Sequence, residues 1–407
     1  MSGALSHIRV LDLSRILAGP TTTQVLADLG AEVIKIERPG VGDDTRQWVP
    51  PVLRNERGED TGEAAYYACV NRNKKSVTVD ISKPAGQDII RRFAAISDVM
   101  VENYLVGTLK RYGLDYDSMK AINPRLVYCS VTGFGQTGPY AARAGYDPIM
   151  QAMSGLMSVT GEPDEKPGGG PQRVGISISD LLTGAYSAIG ILAALQHRER
   201  SGQGQYIDMA LFDCMIGSMS NVAMNYLASG EPPRRLGNAH PNLGPSGAFP
   251  CSDGRIQLVT GNDSQFAKLC EVAGRPDLAA NPRYATNSAR VINRDELKLL
   301  LDQITVTRTM REWTDALAAA GVPCGPINNL AQVFEDPHVL ARGMLIELDH
   351  PLAGKMRAVA NPIRMSETPP GYHLAPPLLG QHTREVLRDL LGMNDAQIDT
   401  LAKAQVV

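Results

Sequence analysis

Among the residues whose type and place suggest chemistry, Asp180 stands first. It lies in the segment GISISDLLTGAYSAIGILAALQHRERSGQGQYIDMALFD, residues 175–213. Val174, Ile176 and Ile178 alternate with small or polar residues, which predicts a short strand, while Leu181 to Gln196 is apolar nearly all round and predicts a buried helix. Asp180 then heads that helix. There its side chain accepts hydrogen bonds from free backbone N–H groups and meets the positive end of the helix dipole, and both effects favour the ionised form. An anionic nucleophile is well served by such a place. So is an ordinary helix cap, for which Asp is among the commonest residues, and position alone does not separate the two.

Other chemistries have less support. Gly133-Phe-Gly-Gln-Thr-Gly138 satisfies GxGxxG after a strand-like run, but a dinucleotide site needs the third Gly to open a helix, and here Pro139 follows. The six cysteines form no CxxC pair and predict free thiols, and the seven histidines show no close metal-ligand spacing, so no protein-bound metal is expected.

The elements that must position Asp180 read as alternating strands and helices. HIRVLDLS, AEVIKIE, KSVTVDI, DVMVEN and RLVYCSVTG are strand-like; TTTQVLADLG, with Pro20 in its first turn, and PAGQDIIRRFAAIS, starting near Pro84, are helical. This order predicts an α/β fold with a doubly wound, mostly parallel sheet. Functional groups then gather at the carboxyl ends of strands, where Arg15, Arg38 and Asn103 fall. A Pro/Gly-rich stretch, EPPRRLGNAHPNLGPSG, precedes a hairpin-like pair around SDG and further helices, which predicts a smaller α/β domain over residues 226–335. Residues 1–225 are assigned to the large domain and 336–407 to a C-terminal part.

Over 407 residues, two domains are the ordinary expectation. A net charge of −3 and a pI near 6.2 argue against nucleic acid or an anionic membrane as bulk partners. MSGALSHIRVLDLS lacks the basic start and continuous apolar run of a signal peptide, and the most apolar helix is interrupted by Thr, Gly, Tyr and Ser, so a cytoplasmic protein without a membrane span is expected.

Beyond these patterns the chain resembles the family III CoA-transferases (CaiB/BaiF family), a group that includes formyl-CoA and carnitine CoA-transferases and related acyl-CoA racemases. The resemblance rests on Asp180, Thr183-Gly184, Arg198 and Ser201-Gly-Gln-Gly-Gln205, and on LDLSRILAGP (11–20), ADLGAEVIKIERPGVGDDTR (27–46), NRNKKSV (71–77), VENY (101–104), GYDP (145–148), GVPCGPIN (321–328) and PLLGQHT (377–383). It implies an interlocked homodimer whose large domain is built jointly from N- and C-terminal parts. It further implies that Asp180 attacks an acyl-CoA thioester to give a mixed anhydride and then an aspartyl-CoA thioester, with coenzyme A and acyl-CoA as substrates and no tightly bound cofactor.

By the same resemblance, Arg38, Asn103, Tyr104 and Arg111 hold CoA, with Ile16 lining the pocket and Lys74 as a further cation. Gly237-Asn238-Ala-His240-Pro-Asn-Leu-Gly244 corresponds to the loop that covers the intermediate, though it lacks an all-Gly run. Tyr146 and Asp147 shape the substrate site. Racemases of the family carry His where Tyr146 stands, and Tyr, with a pKa near 10, is a poor base at neutral pH, so transfer is favoured over racemisation. A non-catalytic acyl-CoA binding protein is the remaining alternative. The blocks DSQFAKLCEVAG and YATNSARVINRDELKLLL look closest to the branch that moves CoA from succinyl-CoA to a dicarboxylic acid of the glutarate, itaconate or hydroxymethylglutarate type. The far carboxylate then needs a cation, for which Arg46 and Arg72 are the candidates, an Asp43/Asp44–Arg46 surface pair being the plainer reading of Arg46.

Overall fold

A computed structural model of the protein describes residues 3–407. Six strands form the main sheet: β1 (Arg9–Asp12), β2 (Glu32–Glu37), β3 (Lys74–Thr78), β4 (Val99–Glu102), β5 (Val127–Thr132) and β6 (Tyr206–Ala210). They lie in the order β3-β2-β1-β4-β5-β6, and every neighbouring pair is parallel. Near-continuous burial of β2, β4 and β5 is what a sheet covered on both faces requires. The strand order reverses between β1 and β4, so a crevice opens beyond their carboxyl ends.

The chain divides into two compact units. The larger comprises residues 1–155, 174–224 and 338–407; the smaller comprises 156–173 and 225–337. The segment 156–173, assigned from sequence to the large domain, is thus part of the small unit. There Gly161 accepts from Gly237 N–H at 3.0 Å and Arg235 ties back to the Glu162 carbonyl at 3.2 Å. The small unit is built on an antiparallel sheet of β7 (Ser246–Cys251), β8 (Gly254–Val259) and β9 (Cys324–Pro326) over a core that includes Phe249, Ile256, Phe266, Leu297 and Trp313.

The C-terminal segment closes the exposed edge of β3. His382 N–H donates to Ser76 O at 3.0 Å, Thr78 N–H to Thr383 Oγ1 at 3.0 Å and Gly380 N–H to Ser76 Oγ at 2.9 Å, so PLLGQHT satisfies an edge that would otherwise be open to another strand. The helix that follows, Thr383–Leu391, seats Val386 and Leu387 in the same core as Leu11, Ile34 and Phe93.

Two helices carry the site, α1 (Ala18–Asp28) and α3 (Ile178–Ser201), with α2 (Pro84–Ala95) between them in sequence. Gly184 is what lets α1 and α3 touch: a Cβ there would lie 2.8 Å from Thr21 Cβ and 2.9 Å from Ala18 O. Thr22 Oγ1 donates to Gly184 O at 3.2 Å across the same contact. At 24 residues α3 is long and apolar enough, by length and composition, to cross a bilayer, contrary to the sequence expectation. Thr183, Gly184, Ser187, Ala188 and Ile191 are nevertheless buried against protein. The strand predicted over Val174–Ile178 does not form. Val174 N–H goes to Gln151 Oε1 at 2.8 Å and Ser179 N–H to Asp147 Oδ1 at 2.9 Å, so side chains take the donors that a neighbouring strand would have paired.

Candidate active site

Asp180 is the third residue of α3; Ser177, not Asp180, occupies the capping position. The first turn is fixed instead by Asp147, buried beneath it, which accepts from Ser179 N–H at 2.9 Å, Ser179 Oγ at 2.6 Å and Gln151 Nε2 at 2.7 Å. The backbone N–H of Ala18, the first residue of α1, acts on the Asp180 carboxylate. The close crossing at Gly184 thus brings two helix N-termini to one carboxylate, and both present positive ends.

Burial, and then the charge of Asp147, raise the Asp180 pKa to about 7, against the lowering effect of the Ala18 N–H. The sequence expectation that cap and dipole favour the ionised form is corrected on this point: desolvation and a like charge outweigh them. A desolvated carboxylate is the better nucleophile once ionised, at the cost of a higher pH to ionise it. The free enzyme's kcat/KM is therefore expected to fall about tenfold per pH unit below about 7 and to level above it. A profile flat down to pH 5 would return Asp180 to an ordinary carboxylate.

Asp180 lines a cleft of about 260 Å³ together with Ile16, Asn103, Tyr104, Arg143 and Tyr146. The cleft's floor is the Leu13–Leu17 turn after β1. Arg15 N–H donates to Asn103 Oδ1 at 2.9 Å, Asn103 Nδ2 returns to Arg15 O at 2.7 Å, and Ile16 N–H reaches Asp43 Oδ1 at 3.2 Å. These bonds hold Ile16 at φ 71°, a left-handed conformation that a β-branched residue adopts only under constraint. A second cleft of about 350 Å³, lined by Arg38, Asp43, Asp80, Thr108 and Tyr112, shares Arg15 and Tyr104 with the first. Arg38 is exposed at its wall, and Arg111, exposed on the helical turn Thr108–Arg111, lies beside its lining without being part of it.

Three nominated cations do not reach either cleft. Lys74 is fully buried and donates to Asp12 Oδ2 at 3.2 Å, Pro20 O at 2.9 Å and Asn71 Oδ1 at 3.0 Å. Arg46 gives two bonds of 2.8 Å to Glu37, a third to Glu63, and stacks on Tyr67 with 3.7 Å from Cζ to the ring centre. Arg72 is paired with Asp28 at 2.6 and 2.9 Å. The plainer alternative for Arg46 also gives way, since Asp43 is buried and bonded to Lys35 at 2.9 Å.

Of the loop residues, Asn238, His240 and Gly244 line a cavity of about 310 Å³ inside the small unit, and Gly237 stands at φ 58° close to the Glu162 carboxylate. Arg290 and Arg294 hold this loop through the carbonyls of Gly244 and Pro241. Sequence reasoning did not assign the Ala18 N–H, which only the helix crossing reveals, or a role for Arg143.

The sequence model described as CoA-transferase family III matches residues 5–383. A succinate–glutarate CoA-transferase of Agrobacterium fabrum is 48% identical over 386 residues, 95% of each chain. A human succinyl-CoA:glutarate CoA-transferase is 43% identical over 403 residues, 99% of this chain and 90% of that one. Among solved structures, a CaiB/BaiF family protein from Brucella suis, 48% identical, superposes with a TM-score of 0.85 and covers 96% of this chain and 100% of its own. With its fold, its length and its sequence in agreement, the chain belongs to CoA-transferase family III.

Proposed function

We propose that the protein transfers CoA from succinyl-CoA to a small dicarboxylic acid, glutarate first among them, with Asp180 as the nucleophile. The observation that carries the mechanism is the desolvated Asp180 carboxylate at two converging helix N-termini, on the wall of an open cleft. Its attack on the thioester carbonyl breaks the C–S bond and gives an aspartyl anhydride and CoA thiolate. The thiolate then attacks the aspartyl carbonyl, releasing succinate and leaving an aspartyl-CoA thioester. The acceptor carboxylate attacks this thioester, and the steps reverse on the new acyl group. Activation is conserved at each exchange, so no nucleotide triphosphate is consumed. The helix ends favour the oxyanion that develops beside Asp180.

The adjoining cleft with Arg38, and Arg111 beside it, suits the phosphates of CoA, and Asn103, Tyr104 and Ile16 suit the arm that leads to the thioester. The acceptor class follows the names of the Agrobacterium and human relatives. A homodimer would cover Tyr186 and Ile189 on α3 and Ile216, apolar side chains that are 47%, 61% and 46% exposed.

The test is product formation by mass spectrometry, with succinyl-CoA as donor and glutarate, itaconate, hydroxymethylglutarate, malate, formate, oxalate and carnitine as acceptors. Glutaryl-CoA or another dicarboxylyl-CoA is the expected product. No transfer to any acid, with α-proton exchange on a branched acyl-CoA, would move the protein to the racemases.

A further inference from the structure

With Arg46 and Arg72 consumed by internal carboxylates, the far carboxylate of a dicarboxylic substrate must find its cation in the cleft of Asp180 itself. Two arginines line that cleft, Arg15 and Arg143. Arg15 already donates to Asp44 at 3.0 Å and lies over the Tyr104 ring at the junction with the second cleft. Arg143 is exposed, and among the described residues its guanidinium faces an aromatic ring rather than a carboxylate, with Cζ 3.9 Å from the centre of Tyr140.

That ring is itself held. Tyr140 meets Phe134 edge-on at 5.5 Å, and Phe134 packs against Phe212 at 5.6 Å, on the helix α4 (Leu211–Ser218) whose Phe212 N–H donates to Gly133 O at 3.0 Å. The loop that carries Arg143 ends at Gly145, whose backbone lies so close to Gly133 that a Cβ on either would meet the other's Cα at 2.6–2.7 Å. Among the described residues Arg143 is thus a cation with no carboxylate paired to it, seated on an aromatic stack anchored beyond β6, in a cleft whose only acidic lining residue is Asp180. A guanidinium so placed presents a planar fork suited to a carboxylate.

We propose that Arg143 selects dicarboxylic acyl groups by binding the carboxylate remote from the reacting one. This inference rests on the transferase reading above. Asp180 engages one end of the acid and Arg143 the other, and Tyr140 acts as a positioning residue for Arg143. An acid that lacks the second carboxylate leaves Arg143 without a partner and gains nothing from the stack.

The experiment is a competition between glutarate and butyrate, which is glutarate without its far carboxylate, with succinyl-CoA as the common donor. Both acids attack the same enzyme-bound CoA thioester, so the ratio of glutaryl-CoA to butyryl-CoA, corrected for acid concentration, is independent of donor binding, of CoA affinity and of the fraction of enzyme that is folded. Arg143→Gln is expected to lower this ratio about 10- to 100-fold, the loss of one charge-assisted contact. Arg143→Lys is expected to keep part of it, and Tyr140→Leu to lower it less than Arg143→Gln. An unchanged ratio in Arg143→Gln, including the case in which both products fall together as for a CoA-phosphate contact, overturns the proposal while the transferase reading stands. A wild-type enzyme that makes neither product and transfers CoA to none of the other acids tested above sinks the transferase reading itself.

Discussion

Asp180→Asn is expected to lower CoA transfer by roughly 10⁴-fold or more, as loss of a covalent nucleophile does, while leaving the protein at least as stable as the wild type at pH 8. The second half of this expectation follows from the sign of the pKa shift. A carboxyl raised from 3.8 to about 7 binds its proton in the folded state over a range where the unfolded chain has released it. Stability therefore declines as pH rises through that window, and above it the ionised group opposes folding in full. Asparagine keeps the shape and removes the charge, so the melting temperature at pH 8 holds or rises. A variant that is inactive because it is misfolded would show the opposite, which makes the pair of measurements decisive. In the wild type, incubation with acyl-CoA is expected to leave a hydroxylamine-sensitive adduct on the peptide that holds Asp180. A label on another residue, or near-normal turnover in Asp180→Asn, would remove Asp180 from the mechanism.

The main sheet was legible because its strands are short apolar runs set between turn residues and helical periods, and the β3-β2-β1-β4-β5-β6 order is the one such alternation most often builds. Asp180 was legible through its place before a long apolar helix and through family resemblance. What the sequence hid is burial. Lys74, Arg46 and Arg72 stand among charged and polar neighbours in sequence, and cations default to the surface. Two of the three have remote partners: Asp12 lies 62 residues from Lys74 and Asp28 lies 44 residues from Arg72. Asp147 is a similar case, since its bonds to Ser179 span 32 residues and only the folded chain shows that GYDP supports the turn holding Asp180. Lys74, read as a contact to CoA, and Arg46 and Arg72, read as contacts to the far carboxylate, instead pair with internal carboxylates in the floor beneath the clefts.

That floor makes the second large prediction. Asp12, fully buried at the end of β1, accepts from Ser14 N–H at 2.9 Å, Ser14 Oγ at 2.5 Å, Thr23 Oγ1 at 2.6 Å and Lys74 Nζ at 3.2 Å. Burial pushes its pKa up, but Lys74 and Lys35 with these hydroxyls hold it below the usual carboxylate value. Lys74 is the strained partner: burial lowers its pKa to about 8, Asp12 opposes that shift, and Lys35 adds repulsion. Asp12→Asn removes the bonded counter-charge and leaves a buried ammonium with no carboxylate hydrogen-bonded to it. A loss of about 3–5 kcal/mol in denaturant unfolding is expected.

The pH dependence of that loss identifies its cause. Without Asp12 the Lys74 pKa drops below its wild-type value, whereas the unfolded chain holds the proton up to about 10.5. The unfolded state then binds more protons across that interval, so the variant regains stability as pH rises from 7 to 9. Adding Lys74→Met to Asp12→Asn removes the stranded charge, and the double variant is expected to recover part of the loss already at pH 7. If Asp12→Asn instead unfolds like the wild type while Lys74→Met alone raises the KM for succinyl-CoA, then Lys74 reaches the CoA phosphates after all. The buried network would in that case be no part of what holds the turn that carries Ile16 at the mouth of the Asp180 cleft.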